Sequence, residues 1–327
     1  MRVNFDEYPT KGIMKDEDVK QIHAMALRIL EEIGVMMDCP QALDILEKEN
    51  CQMDRESKIV KFLPQLVLDA VQSAPETFRL WNRSGTEFVE VGGDSCDFVP
   101  AVSLPNMLVS NDGDLREGMI DDLIKITHLE NQIEQYRILA PAVLCADIPP
   151  QYSDFYRDYV MMKYSEKPHL AESFGTEGVE YLNRLMVALR GSQVEAEAKP
   201  HVYLGLCPIS PLKWSNEAAQ NIIDGATFGI PLEICSCPFL AFASPVTVAG
   251  AVAEQTAEFL SGLVLAQVVR KGIPVMFGGY TSSMDMKTMV GATAAIESML
   301  AVAAHGQMAK YYKVPSMTFG ACSEAKT

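Results

Sequence analysis

The sequence predicts an α/β protein of the TIM-type (β/α)8 barrel class, incomplete in this chain and preceded by an N-terminal α+β cap. Three observations carry that reading. Apolar, strand-like runs begin near Ile138 (ILAPAVL), His169 (HLAESF), His201 (HVYLGL), Leu232 (LEICSC), Val275 (VMFGG) and Ser316 (SMTFG), each after a helical stretch. Their starts lie 31, 32, 31, 43 and 41 residues apart, room for a strand, a helix and two connections. The runs are apolar throughout, as parallel strands covered on both faces require. The first unit has no GxGxxG phosphate turn, and polar or glycine residues end the strands. Both features favour a barrel over an open doubly wound sheet.

The cap is expected over residues 1–117. Val19, Ile22, Met25, Ala26, Ile29, Leu30 and Ile33 recur at helical steps, with Asp16, Glu17 and Asp18 in the first turn, so the spacing predicts an amphipathic helix ending at Gly34. Shorter helices are expected from Ala42 to Lys48 and from Pro64 to Ser73. Extended pieces are expected at Ile59 to Phe62, Thr77 to Trp81, Phe88 to Val91 and Phe98 to Val102, broken by Gly92-Gly93, Pro100 and Pro105. Residues 118–327 form the barrel region. Its Ala-rich helices, Val248 to Arg270 and Gly291 to Tyr312, suit tight packing on a sheet or on a second subunit, and a homo-oligomer is expected. Six units are counted where a closed ring needs eight, so the chain is expected to lack about 80 residues of barrel. An open ring would leave buried-type strand edges bare.

Composition narrows the function classes. Lys and Arg number 27 against 43 Asp and Glu, a net charge of −16 with 48% apolar residues. That describes a soluble, acidic, globular chain and disfavours nucleic acid and anionic membranes as partners. The first 14 residues carry Arg2, Asp6, Glu7 and Lys11 without an apolar stretch, and Glu254, Glu258 and Gln267 interrupt the longest apolar run. Neither a signal peptide nor a membrane span is expected, and the location is cytoplasmic by default. Eight cysteines (39, 51, 96, 145, 207, 235, 237 and 322) lack CxxC spacing and read as reduced packing thiols. Five histidines (23, 128, 169, 201 and 305) form no HxH or HExxH pattern, so no metal site is expected.

Reacting groups in such a barrel stand at the C-terminal ends of the strands. Glu172 and Glu233 sit in apolar strands, where a carboxylate must be paired, protonated or turned toward a polar cavity. With Tyr280 they are the candidate catalytic residues. Phe239 and Phe242, together with Thr318, are candidates for substrate binding, the two rings as walls for a small cation. Lys326 lies beyond the sixth run and reads as an exposed loop lysine rather than a Schiff-base former. No GxSxG, P-loop or glycosidase-type acid pair is present. Chemistry alone stops at an acidic barrel enzyme.

Several segments together resemble the trimethylamine:corrinoid methyltransferase family. They are IHAMALRILEEIGV (22–35), SAPETFRLWNR (73–83), EKPHLAES (166–173), PISPLKW (208–214), SPVTVAGAVAEQTAEFLSGLVLAQ (244–267) and GGYTSSMDMKTM (278–289) with Glu297 beyond, in family order. The resemblance implies a barrel longer than 327 residues and methyl transfer from trimethylamine to a cognate corrinoid protein. The cobalt corrinoid would be supplied by that partner, with no cofactor held tightly here. In the trimethylamine branch a pyrrolysine is encoded by an in-frame amber codon, and GACSEAKT resembles the stretch leading to it. Pyrrolysine is therefore expected just after Thr327, and this chain alone is expected to be inactive. Two alternatives stand beside this one. One is a pyrrolysine-free methyltransferase for glycine betaine or another quaternary amine. The other is an inactive barrel fragment or a binding module for a cationic ligand.

Overall fold

The computed structural model describes residues 12–109 and 113–319. In chain order the elements are α1 (Asp16–Arg28), continued by a π-helical turn (Ile29–Ile33), β1 (Val35–Met37), α2 (Pro40–Lys48), β2 (Gln52–Asp54), β3 (Ile59–Lys61) and α3 (Pro64–Ser73). Next come β4 (Thr77–Trp81), β5 (Phe88–Gly92), β6 (Asn106–Leu108), β7 (Leu115–Glu117), α4 (Ile120–Gln132), α5 (Pro150–Tyr164), β8 (His169–Glu172), α6 (Gly178–Arg190) and α7 (Gln193–Ala198). The remainder is β9 (Val202–Leu206), β10 (Lys213–Trp214), α8 (Asn216–Phe228), β11 (Leu232–Ser236), α9 (Val248–Val269), β12 (Val275–Gly279), β13 (Ser283–Asp285), β14 (Val290–Ala292) and α10 (Ile296–Tyr312). Proline opens α2, α3 and α5 at the first turn, where its missing N–H costs nothing. No described helix is long and apolar enough to cross a membrane.

The α/β class and parallel pairing hold, whereas a closed eight-stranded ring is not seen among the described residues. Four of the six expected runs are strands, and β8 pairs parallel with β9 as β11 does with β12. The runs at Ile138 and Ser316 correct the expectation, because they make isolated bridges rather than ladders, Leu139 to His169 and Val143 to Leu104 in the first and Phe277 to Ser316 in the second. Pro141 interrupts the first run and Pro315 immediately precedes the second, and neither has an N–H to give a ladder. Two further departures are local. Phe98 to Val102 contributes one bridge, Phe98 to Tyr136, rather than a strand. The helix expected from Gly291 starts at Ile296, since Val290–Ala292 is taken up in a hairpin with β13.

The chain divides into two compact units. Among the described residues, the first comprises 77–109, 113–205 and 228–231, and the second comprises 12–76, 206–227 and 232–319. In the first, α4, α5 and α6 pack in succession, α5 also lies on β8, and Leu123, Leu139, Val143, Val160 and Met161 form a core. In the second, α9 is buried from Ala251 to Gln267, with α1, α2, α3 and α10 around it and β11 and β12 against it. A helix enclosed in that way has no use for a polar stripe, which accounts for its all-round apolar sequence. Gly262 allows the closest approach. A Cβ there would stand 2.8 Å from Trp214 Cζ2 and 3.0 Å from Ile234 Cδ1, so a larger residue would push α9 off the strand.

Candidate active site

The strand ends of the second unit carry most of the chemistry. Ile234 and Ser236 of β11 and Phe277 of β12 face α9: Ile234 lies at Gly262, Ser236 donates to Glu258, and Phe277 stacks on Phe259 with centroids 4.0 Å apart. Alternation along a strand then puts Glu233, Cys235, Met276 and Gly278 on the opposite face. The register agrees, pairing Glu233 with Met276 and Cys235 with Gly278. Glu233 is 1% exposed, and its side chain fills the space above Gly278 that any Cβ would occupy.

A second pair of acids stands on α9. Glu258 accepts from Ser210 Oγ at 2.8 Å, from the Leu212 N–H at 2.8 Å and from Ser236 Oγ, so one carboxylate ties the loop before β10 to the end of β11. Burial nevertheless pushes its pKa up. Glu254, one turn earlier, is pushed up to about 8, first by burial and then by the charge of Glu258, and its Oε1 has no partner among the described residues. At neutral pH Glu254 therefore holds its proton. Between them Gln255 donates to the Ser236 carbonyl at 2.9 Å and accepts from Thr281 Oγ at 3.2 Å, closing the strand end.

Tyr280 follows β12, gives its N–H to the Ser236 carbonyl at 3.1 Å and sets its ring 4.9 Å from Phe319. Phe239 is half-buried with its ring edge at Gly291, whereas Phe242 is 60% exposed. Thr318 is half-buried, and its Oγ1 finds no partner among the described residues. These four candidates and Glu233 belong to the second unit. Lys326 and Cys322 lie outside the described residues.

Glu172 belongs to the first unit, at the end of β8. Its Oε2 accepts from Ser103 Oγ and, at 3.2 Å, from Nη2 of Arg157, a guanidinium only 1% exposed that also donates to the Pro141 carbonyl at 3.2 Å. Two more acids gather near this cation. Asp154 accepts from the Phe174 N–H at 2.6 Å and is pushed up to about 6 by burial, and Asp158 is raised well above its usual range by complete burial. Asp158 meets His169 Nε2 at 3.3 Å. His169 and His201 cross edge to face at 5.4 Å, and burial drives both down to about 3, so both rings are neutral. Among the described residues no group of three His, Cys, Asp or Glu is arranged to hold a metal ion.

Sequence reasoning passed over Glu254, Glu258 and Arg157. The first two had a readable signal, since carboxylates four apart in an Ala/Val/Leu helix must answer for their burial. Arg157 had none, because α5 is polar on several sides.

The family model of trimethylamine methyltransferase (MTTB) matches residues 2–327. The chain belongs to this family. It is 32% identical over 324 residues to the trimethylamine methyltransferase MttB of Methanosarcina thermophila, which covers 96% of this chain and 66% of that one. With MttB of Desulfitobacterium hafniense (strain DSM 10664 / DCB-2) identity is 28% over 311 residues, 95% of this chain and 63% of that one. The glycine betaine methyltransferase of D. hafniense (strain Y51) is 27% identical over 320 residues, 98% of this chain and 66% of that one. The chain thus spans just under two thirds of the length of these relatives. In fold it is similar to a solved hydroxylamine complex of MtmB, with TM-score 0.61 and 11% identity over 96% of this chain and 64% of that one. The Methanosarcina barkeri monomethylamine methyltransferase MtmB gives TM-score 0.55 at 11% identity. In this MTTB-family chain two of the segments that carried the resemblance, PISPLKW and the one containing Glu254 and Glu258, meet at the Glu258 carboxylate.

Proposed function

We propose that the full protein transfers a methyl group from trimethylamine to a cognate corrinoid protein, within an incomplete (β/α)8 barrel completed by residues beyond this chain. The supporting observation is the family match from residue 2 to residue 327. Nitrogen releases a methyl group readily only when the departing amine is neutral, so trimethylamine must first become quaternary. In this reading pyrrolysine follows Thr327 and supplies an electrophilic imine carbon for that purpose. The partner's corrinoid supplies the nucleophilic cobalt that accepts the methyl group, and no residue of this chain is assigned to hold it tightly.

The donor set of the second unit suits such chemistry. Glu254 is an acid that keeps its proton near neutrality, and Glu233 is buried on the strand face turned away from α9. We assign Glu233 to proton donation and Tyr280, with Phe239, Phe242 and Thr318, to the surroundings of the amine. Glu172, in the first unit and already paired with a buried cation, stays a separate candidate and is not placed against this amine. The setting is cytoplasmic, and nucleic acid has no part in it.

A second reading, demethylation of glycine betaine or another quaternary amine without pyrrolysine, is favoured by the 27% identity to a glycine betaine methyltransferase. The reading frame after codon 327 separates the two. An amber codon followed by continued barrel sequence supports the first, and an ordinary sense codon supports the second. The direct assay mixes the full-length protein with a cob(I)alamin-state corrinoid protein and either amine, and follows methyl–cobalt formation by absorbance. Transfer from trimethylamine is expected, and transfer from neither amine would sink both readings. Glu233→Gln is expected to lower kcat by about 10²-fold with KM little changed, the loss usual for a general acid.

A further inference from the structure

Three thiols of the second unit meet outside the groups assigned above. Cys235 and Cys237 place their sulfurs 3.7 Å apart, and Cys207 makes a side-chain hydrogen bond with Cys235. Cys207 is exposed and the other two are half-buried, in contrast to the buried Cys39, Cys51 and Cys145. Cys235 lies on the same face of β11 as Glu233, and Cys237 continues that alternation past the strand end.

We propose that Cys235 and Cys237 form a dithiol site that small disulfides oxidise reversibly. A pair two residues apart in extended chain has Cα atoms about 6.6 Å apart at most, within the span a disulfide bridges. Cys237 is the attacking sulfur. The Cys235 thiol and the Tyr280 backbone hydrogen-bond to it and hold its pKa below the ordinary value, while Cys235, as the donor, is held well above. The Cys237 thiolate attacks one sulfur of a disulfide RSSR, forms a mixed disulfide and expels RS⁻. Cys235 then gives up its proton and attacks Cys237 Sγ, forming the internal S–S bond and expelling the second RS⁻. Two protein thiols lose two electrons and two protons, and RSSR becomes two RSH.

The test uses oxidised glutathione on the reduced full-length protein, followed by N-ethylmaleimide and trypsin. Cleavage after Lys213 separates Cys207 from the other two cysteines, which share the peptide ending at Arg270. That peptide is expected to be lighter by about 2 Da and free of maleimide, and dithiothreitol is expected to restore both thiols. Cys207→Ser should leave the link intact, and Cys235→Ser should trap glutathione on Cys237. A link between the two peptides, an adduct without a link in the unaltered protein, or trapping on Cys207 in the Cys235→Ser variant would each overturn the assignment.

Discussion

In the unit built on residues 77–205, Asp154, Asp158 and Glu172 gather near Arg157, a buried cation that pairs directly with Glu172. In the other unit, Glu254 and Glu258 lie one turn apart on α9, and among the described residues neither forms an ion pair. Both arrangements bury acids, yet they solve the desolvation problem differently. A guanidinium lets a carboxylate remain an anion, whereas a set of neutral donors satisfies one acid and leaves its neighbour to keep a proton. In the first setting a cation meets the acid's charge, and in the second the proton does.

Removing Glu258 should have the largest effect. Glu258→Ala strands Ser210 Oγ, the Leu212 N–H and Ser236 Oγ together, so urea unfolding should show a loss of about 4 kcal/mol. Glu258→Gln should lose less, because an amide oxygen can still accept. On the other side of the comparison, Arg157→Met leaves Glu172 without its cation and should cost about 3 kcal/mol. Adding Glu172→Gln should recover part of that loss, and a purely additive double mutant would mean the ion pair is not what holds this cluster.

pH titrations give the next largest contrast. Buried His169 and His201 sit at about 3 in the fold against an ordinary 6.5. The unfolded chain binds their protons first, so their contribution is complete above pH 6.5 and lost as pH falls toward 3. At pH 5.5 the pair should account for a loss of about 3 kcal/mol, and His201→Asn, whose amide can replace Nδ1 on the Trp81 carbonyl, should flatten part of that limb. Glu254 works with the opposite sign. Its folded pKa of about 8 exceeds the usual 4.5, so stability falls as pH rises from 4.5 to 8. Glu254→Gln should raise stability at pH 8 and leave pH 4 unchanged. An unchanged pH 8 value would show that Glu254 is solvated.

The parallel strands at His169, Val202, Leu232 and Val275 were readable because doubly covered strands are apolar at every position. The runs at Ile138 and Ser316 look the same by that criterion yet make only isolated bridges, and the proline inside the first and the one just before the second carry the local signal against a ladder. α1, α2 and α3 were legible from period and first-turn chemistry. Glu172 and Glu233 were legible as acids in apolar strands, but their partners were not. Arg157 reaches Glu172 across 15 positions and Ser210 reaches Glu258 across 48, and no local pattern encodes such meetings. The three sulfurs were hidden for the same reason, since Cys207 joins Cys235 only once the strands are formed.

The close approach at Gly262 encloses the Trp214 indole, which is wholly buried and donates to Ser261 Oγ at 2.9 Å. The chain has two tryptophans, and the other, half-buried Trp81 beside Phe88, belongs to the other unit. Each unit therefore carries its own intrinsic fluorophore. With Trp81→Phe and Trp214→Phe variants, emission spectroscopy can ask whether the two melt together or in sequence, without any extrinsic label.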